Sequence, residues 1–144
     1  MARSQSSEVS ASRRTSPFCT VQEAIVEFQQ GHFLIITDDQ DRENEGDICI
    51  PAQYVTPDAI NFMAKYARGL ICAAMSGERL DRLGLRLMVD EESNESQFGT
   101  AFTVSVEART GVSTGISAAD RARTVHVLMD QETKIGRASC RERV

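Results

Sequence analysis

An acidic loop between two short apolar segments constrains this chain more than any other stretch of its sequence. Residues 38–47 read DDQDRENEGD and place six carboxylates around one cation, Arg42. Two like charges about 4 Å apart repel by roughly 1 kcal/mol even in water, so the loop becomes compact only when positive charge neutralises it. A hard divalent cation that keeps most of its water is one natural counterion, and a solvated acidic turn is the plain alternative. Charge alone leaves both interpretations open.

Composition sets the broad class of the protein. The chain has 144 residues, which suits one domain, and a hydrophobic content of 41%, which is ordinary for a soluble globular protein. Its net charge of -5 argues against nucleic acid as a partner, because phosphate binding needs a concentrated basic surface. The apolar runs are too short to cross a bilayer. We therefore expect a cytoplasmic protein that binds neither nucleic acid nor a membrane.

Helical and extended patterns alternate along the chain. A capping box at Thr20 begins a helical stripe that Gly31 ends, and Thr56-Pro57 begins another that Gly69 ends. The other predicted elements are a buried strand 33–36, a strand 48–50, a strand 70–74, a helix 76–83, an extended segment 85–89, a half-buried strand through 102–106 and a helix 118–129. Strands interleaved with helices predict a layered α/β or α+β domain.

A second loop, residues 110–117, reads TGVSTGIS and directly precedes the last predicted helix, which Ser117 is placed to cap. Small hydroxyl residues and glycines before a helix present backbone N–H groups to an anion. The spacing is neither a Walker motif nor a dinucleotide fingerprint, so a simple glycine-rich connection is an equally good interpretation.

The four cysteines, which are Cys19, Cys49, Cys72 and Cys140, contain no CxxC pair. They indicate neither a zinc site nor a disulfide framework, and reduced thiols are the default expectation. Cys72 follows an apolar pair on a predicted strand, where it would either face a pocket or serve as a small core residue.

Four segments occur together in a recognisable order: DRENEGD at 41–47, GLIC at 69–72, FGT at 98–100 and TGVSTGISAADR at 110–121. With these segments the chain resembles the 3,4-dihydroxy-2-butanone 4-phosphate synthases of riboflavin biosynthesis. The resemblance implies an α+β fold, a three-layer α/β/α sandwich with a mixed sheet. It also implies conversion of D-ribulose 5-phosphate to 3,4-dihydroxy-2-butanone 4-phosphate and formate with Mg2+ or Mn2+, in a homodimer.

The resemblance also assigns roles to individual residues. Glu43 matches a catalytic residue and metal ligand that also contacts substrate, and Asp47 matches a catalytic and substrate-binding residue. Arg42 matches a substrate contact. Thr114, with Ser113 as the second choice, matches the hydroxyl-bearing substrate loop, and Cys72 matches a pocket cysteine with a catalytic role.

Members of the family continue into RPGHVFP-like and GGHT-like motifs, the second carrying a metal-binding histidine, and neither motif occurs in this chain. His32 and His126 do not match that histidine. We expect residues 1–17 to form a disordered tail and residues 18–134 a partial synthase domain. Residues 135–144 can be back-translated into DNA that looks like a sequencing-library adapter, so we expect them to be a non-native read-through tail.

Three functional interpretations follow from these observations. The first is a lyase whose chain, as written, is weakly active or inactive. The second is the N-terminal part of a bifunctional synthase and GTP cyclohydrolase II. The third is a catalytically dead module that keeps the acidic loop to bind a metal.

Overall fold

The computed structural model describes residues 16–96, 99–133 and 138–140. The helices are α1 (Val21–Gln29), α2 (Pro57–Tyr66), α3 (Gly77–Leu83) and α4 (Ala118–Met129). The strands are β1 (Leu34–Thr37), β2 (Gly46–Cys49), β3 (Val106–Ala108) and β4 (Ala138–Cys140). The predicted α+β class is confirmed. Within the described ranges the strands form two antiparallel pairs, β1 with β2 and β3 with β4.

The hairpin of β1 and β2 carries the acidic loop at its tip. Leu34 pairs with Cys49 at one end of the ladder and Thr37 with Gly46 at the other, so the loop begins and ends at adjacent positions. The prediction that β1 is buried is wrong, because Ile35 is 72% exposed. An apolar run indicates that a strand is suited to burial, but it does not identify the segment that would bury it.

The core lies where α2 packs against α4. Val55, Ile60 and Ala122 form its buried centre, and Ile60 is only 2% exposed. Burying one such aliphatic side chain contributes roughly 1.5–3 kcal/mol. The start of α2 is fixed as the sequence predicted, because the Thr56 hydroxyl accepts a hydrogen bond from the backbone N–H of Ala59 at 3.1 Å.

A threonine joins β3 to α4. Thr124 Oγ1 accepts a hydrogen bond from the N–H of Ala108 at 3.0 Å and donates one to the carbonyl of Asp120 at 2.8 Å. Both Ala108 and Thr124 are buried, so the strand has a fixed position against the helix. On its other side β3 pairs with β4, whose residues belong to the predicted read-through tail. The read-through hypothesis concerns the coding DNA and stays a prediction.

A buried arginine joins α3 to the end of α4. Arg79 is 9% exposed, and its guanidinium donates to the carbonyls of Leu128, Asp130 and Thr133 at distances from 2.6 to 3.2 Å. The last carbonyls of a helix have no partner within the helix and carry partial negative charge. Arg79 supplies both the donors and the opposite charge that these carbonyls need.

Two predicted extended segments differ from the structure. Residues 70–74 are not part of a β-ladder, and between 102 and 106 the pairing is limited to an isolated bridge from Leu87 to Thr103. The regular strand begins only at Val106. Alternating or apolar residues favour an extended backbone, but a ladder also requires a strand beside it.

The predicted tail 1–17 lies outside the described residues except for its last two positions. Within the described part of the chain, each helix is too short or too polar to cross a membrane.

We expect the Arg79→Lys substitution to lower the free energy of unfolding by about 1–3 kcal/mol, because one ammonium group cannot reach the carbonyls that the planar guanidinium joins. Urea denaturation measures this difference. Arg82→Lys on the same helix is the matched control, since Arg82 is 55% exposed and pairs with the exposed Glu78 at 3.3 Å. Equal stabilities for the two variants would contradict the prediction.

Candidate functional site

One carboxylate, that of Asp38, organises the acidic loop. Its Oδ1 accepts the backbone N–H of Glu45 at 2.8 Å, and its Oδ2 accepts the N–H of Glu43 at 2.8 Å. These backbone hydrogen bonds, with a smaller contribution from Arg42, lower the pKa of Asp38 below its ordinary value. The first carboxylate of the loop is therefore an internal acceptor around which the next seven residues fold.

Arg42 provides the positive charge that the loop requires. Its Nη1 donates to Asp38 Oδ2 at 3.0 Å and to Glu43 Oε2 at 2.8 Å. The turn continues through Asn44, whose φ of 51° lies in the left-handed region that asparagine tolerates. This arginine and two backbone amides are hydrogen-bond partners of the Asp38 and Glu43 carboxylates. The protein itself therefore offsets part of the charge repulsion that suggested a metal ion.

Asp47 lies at the start of β2, and its charge affects two thiols. Partial burial raises the pKa of Cys72, and the negative charge of Asp47 raises it further. The pKa of Cys49 is raised by the same two causes in the same order. Since only a thiolate is strongly nucleophilic, both thiols are held in their less reactive form at neutral pH. The charge of Asp47 therefore acts on the pKa of both thiols.

The loop 110–117 folds around a second internal carboxylate, that of Asp120. Its Oδ1 accepts the backbone N–H of Ser113 at 3.1 Å, while its Oδ2 accepts the Ser113 hydroxyl at 2.8 Å and the N–H of Gly115 at 3.0 Å. Asp120 is 6% exposed, and the hydrogen bonds from Ser113 are the main reason that its pKa is lowered. The anion at these amides is thus the protein's own side chain.

Gly115 is required at its position in this loop. Its φ is +75°, and a Cβ atom there would overlap the carboxylate of Glu107. Both the left-handed backbone and the close approach exclude an ordinary side chain. The loop is therefore fixed by Asp120 on one side and confined by Glu107 on the other.

The predicted site residues fall into two groups. Arg42 and Glu43 are in direct contact at the hairpin tip, and Asp47 lies in β2 at the end of the same loop. Ser113 belongs to a loop anchored on α4, and its hydroxyl is already bonded to Asp120. Thr114 is the next residue of that loop.

The described residues offer a divalent cation only part of a coordination shell. No group of three or more His, Cys, Asp or Glu side chains suited to a metal occurs in the described ranges. Glu43 is a reasonable single ligand, because Mg2+ binds through one or two carboxylates and keeps several waters. Of the histidines, His32 contacts Glu27 at 2.6 Å and His126 lies in the last turn of α4.

The sequence profile of 3,4-dihydroxy-2-butanone 4-phosphate synthase matches residues 22–139 of the chain. The chain belongs to this family. A 3,4-dihydroxy-2-butanone 4-phosphate synthase of Neisseria meningitidis serogroup B is 51% identical over 114 residues, which are 79% of this chain and 31% of that protein.

Two further similarities bear on fold and architecture. A crystal structure of a 3,4-dihydroxy-2-butanone 4-phosphate synthase in complex with two magnesium ions superposes with a TM-score of 0.80 and 38% identity, covering 85% of this chain and 56% of the other. The bifunctional riboflavin biosynthesis protein RIBA 1, chloroplastic, of Arabidopsis thaliana is 43% identical over 120 residues, 83% of this chain and 22% of that protein. The chain thus spans a minor part of the family members it matches by sequence.

Sequence reasoning missed the two residues that organise the loops. Charge alone left the six acidic residues of the first loop equivalent and the family resemblance selected Glu43 and Asp47, although Asp38 alone directly follows a strand and opens the turn. For Asp120 a usable signal was present: Ser117 and Asp120 have the spacing of a helix N-cap and its third residue, where the Ser117 hydroxyl accepts the N–H of Asp120 at 3.0 Å.

We expect the stabilising effect of the Asp38 carboxylate to be fully present above its ordinary pKa of 3.8 and to be lost as pH falls through its lowered value in the folded protein. The sign follows because the unfolded chain binds the proton first on acidification. In Asp38→Asn, the dependence of unfolding free energy on pH should be flatter below the ordinary pKa of 3.8.

Urea denaturation at successive pH values tests this expectation, and Asp39→Asn in the same loop is the matched control. If the acid dependence of Asp38→Asn equals that of the parent chain, Asp38 does not hold the loop in the way described.

Proposed function

We propose that the chain forms part of a riboflavin-pathway lyase that converts D-ribulose 5-phosphate to 3,4-dihydroxy-2-butanone 4-phosphate and formate with Mg2+ or Mn2+. The observation that carries this proposal is the ordered acidic loop, in which Arg42 and Glu43 are paired at the tip of a rigid hairpin. Family membership gives this loop its chemical meaning, because the DRENEGD segment lies within the matched region.

The reaction begins with loss of a proton beside the carbonyl of the sugar phosphate, which places negative charge on oxygen. Glu43 would hold the divalent ion, which stabilises such charge and orients the two substrate oxygens when it is bound. Arg42 would pair with an anionic oxygen of the substrate, and Asp47 would orient a substrate hydroxyl or accept its proton. These residues lie on one hairpin, and we propose that one small ligand contacts all three.

Cys72 and the second loop complete the proposed site. The raised pKa of Cys72 suits a neutral residue that lines the pocket better than a nucleophile. Thr114 is the preferred hydroxyl contact to substrate. Ser113 is the second choice, because its own hydroxyl already donates to Asp120 at 2.8 Å.

We expect Glu43→Ala to abolish the metal-dependent part of ribulose 5-phosphate binding, because it removes the carboxylate that would hold the ion. Isothermal titration with ribulose 5-phosphate, with and without Mg2+, measures this effect. Glu45→Ala is the matched control, since the loop uses the backbone N–H of Glu45 rather than its side chain. Metal-dependent binding that survives in Glu43→Ala would refute the assignment.

We expect the 144-residue chain itself to release formate slowly or not at all, because it contains no GGHT-like motif, which carries a metal-binding histidine in the family. The same titrations separate the lyase from a catalytically dead metal-binding module, which would bind Mg2+ without responding to ribulose 5-phosphate.

The similarity to the bifunctional plant protein supports the alternative in which a GTP cyclohydrolase II domain follows the synthase domain. The coding sequence downstream of this chain tests that alternative.

We also propose that the protein is a cytoplasmic homodimer. Support comes from large apolar side chains at the surface of the hairpin and of α2. They include Phe33 at 37%, Ile35 at 72%, Ile36 at 54%, Phe62 at 40% and Tyr66 at 62% exposure. The rings of Phe33 and Phe62 pack at a tilt with centroids 5.1 Å apart, and those of Phe62 and Tyr66 do so with centroids 4.8 Å apart. Exposed apolar clusters such as that of the three rings are typical of association sites.

Ile35→Ser is expected to weaken this association, because it places a hydroxyl where an apolar side chain would be buried between subunits. Sedimentation velocity over a range of protein concentrations measures the change. Glu78→Gln, on the surface of α3, is the control and should associate as the parent chain does. A parent chain that remains monomeric at every concentration would end the homodimer proposal.

A further inference from the structure

The hydrogen bonds around Asp120 assign it a function that depends on the proposed reaction. We propose that Asp120 is a positioning residue: its buried carboxylate fixes the segment from Ser113 to Gly115, so that Thr114 is presented to the sugar phosphate. The inference goes beyond the site residues already named, because Asp120 itself is not proposed to contact the substrate.

The backbone on both sides of Thr114 is hydrogen-bonded to the Asp120 carboxylate. Asp120 accepts hydrogen bonds from the backbone N–H groups of the residues on either side, Ser113 at 3.1 Å and Gly115 at 3.0 Å. It also accepts the Ser113 hydroxyl at 2.8 Å. Fixing the backbone on both sides of a residue fixes the direction in which its Cα–Cβ bond points, so the orientation of Thr114 is set by a side chain six positions later.

Asp120 can play this part because it is itself held rigidly. The Ser117 hydroxyl accepts its backbone N–H at 3.0 Å, and the Thr124 hydroxyl donates to its carbonyl at 2.8 Å. The carboxylate lies in the first turn of α4, where the positive end of the helix dipole favours negative charge. Two positions further along the helix, Ala122 is part of the buried core. The loop is thus connected to the helix that contributes Ala122 to the buried core.

A positioning role for Asp120 also accounts for the hydrogen bond that the Ser113 hydroxyl makes. In a loop that bound substrate through every hydroxyl, the Ser113 side chain would be oriented toward the ligand. It donates instead to a carboxylate that is 6% exposed. Ser113 therefore acts with Asp120 as part of the support, and Thr114 is the residue that the support presents.

The test uses Asp120→Asn in the 144-residue chain, with Asp81→Asn on the surface of α3 as the matched control. The asparagine keeps the size of the side chain but replaces one acceptor oxygen by a donor. Amide hydrogen exchange followed by NMR should become at least about tenfold faster at Ser113 and Gly115, because each loses a charged hydrogen-bond acceptor. Their amide proton resonances should also shift upfield. Exchange at Ile60 should not change, which separates loss of the loop from loss of the fold.

A second measurement tests the presentation of Thr114. In the parent chain, ribulose 5-phosphate with Mg2+ should shift the Thr114 amide resonance, and Asp120→Asn should weaken the apparent affinity of this response at least about tenfold. The response of the Glu43 amide to Mg2+ alone should be retained. Ser113→Ala should give an intermediate loss, because it removes one of the three donors to Asp120.

The outcomes distinguish the inference from the function on which it rests. Unchanged exchange at Ser113 and Gly115 in Asp120→Asn would overturn the inference. Faster exchange with an unchanged ligand response at Thr114 would also overturn it, because Asp120 would then be purely structural. If ribulose 5-phosphate with Mg2+ affects neither Thr114 nor Glu43 in the parent chain, the proposed function fails, and the presentation of Thr114 to this substrate fails with it.

Discussion

Each loop of the candidate site is folded around an aspartate that accepts its backbone N–H groups. A loop has no regular ladder to satisfy these groups, and an unpaired polar group away from water costs free energy. Asp38 accepts two amides of the first loop, and Asp120 accepts two amides of the second. Without these acceptors the side chains on the loops would have no fixed directions, and the chemistry proposed for them requires fixed directions.

The two aspartates differ in what balances their charge. Asp38 shares Arg42 with Glu43 near the surface, where water and salt screen the ion pairs and make each of them weak. Asp120 is buried and relies on hydrogen bonds and on the start of a helix. The first loop therefore keeps residues that can exchange a protein partner for a ligand, whereas the second loop has the more permanent geometry.

Local signals in the sequence were sufficient for much of the fold. The caps at Thr20, Thr56 and Ser117 each begin a helix in the structure, because capping depends only on residues within one turn. The exposure of Ile35 and the missing ladder at 70–74 were not predictable, because they depend on which distant segment lies alongside. The candidate site shows the same difference between what local sequence predicts and what depends on the folded structure. Motifs identified the loops, but the inward direction of Asp38 and Asp120 required coordinates.

The hydrogen bonds that Arg79 donates at the end of α4 affect when the chain can fold during its synthesis. The carbonyl partners of Arg79 lie 49 to 54 residues further along the sequence. During synthesis the guanidinium therefore stays in water until the ribosome has released the segment that follows α4. The contact between Ile60 and Ala122 in the core waits for nearly the same length of chain. The hairpin with its acidic loop uses only neighbouring residues and is free to form first, so local order precedes the tertiary frame that supports it.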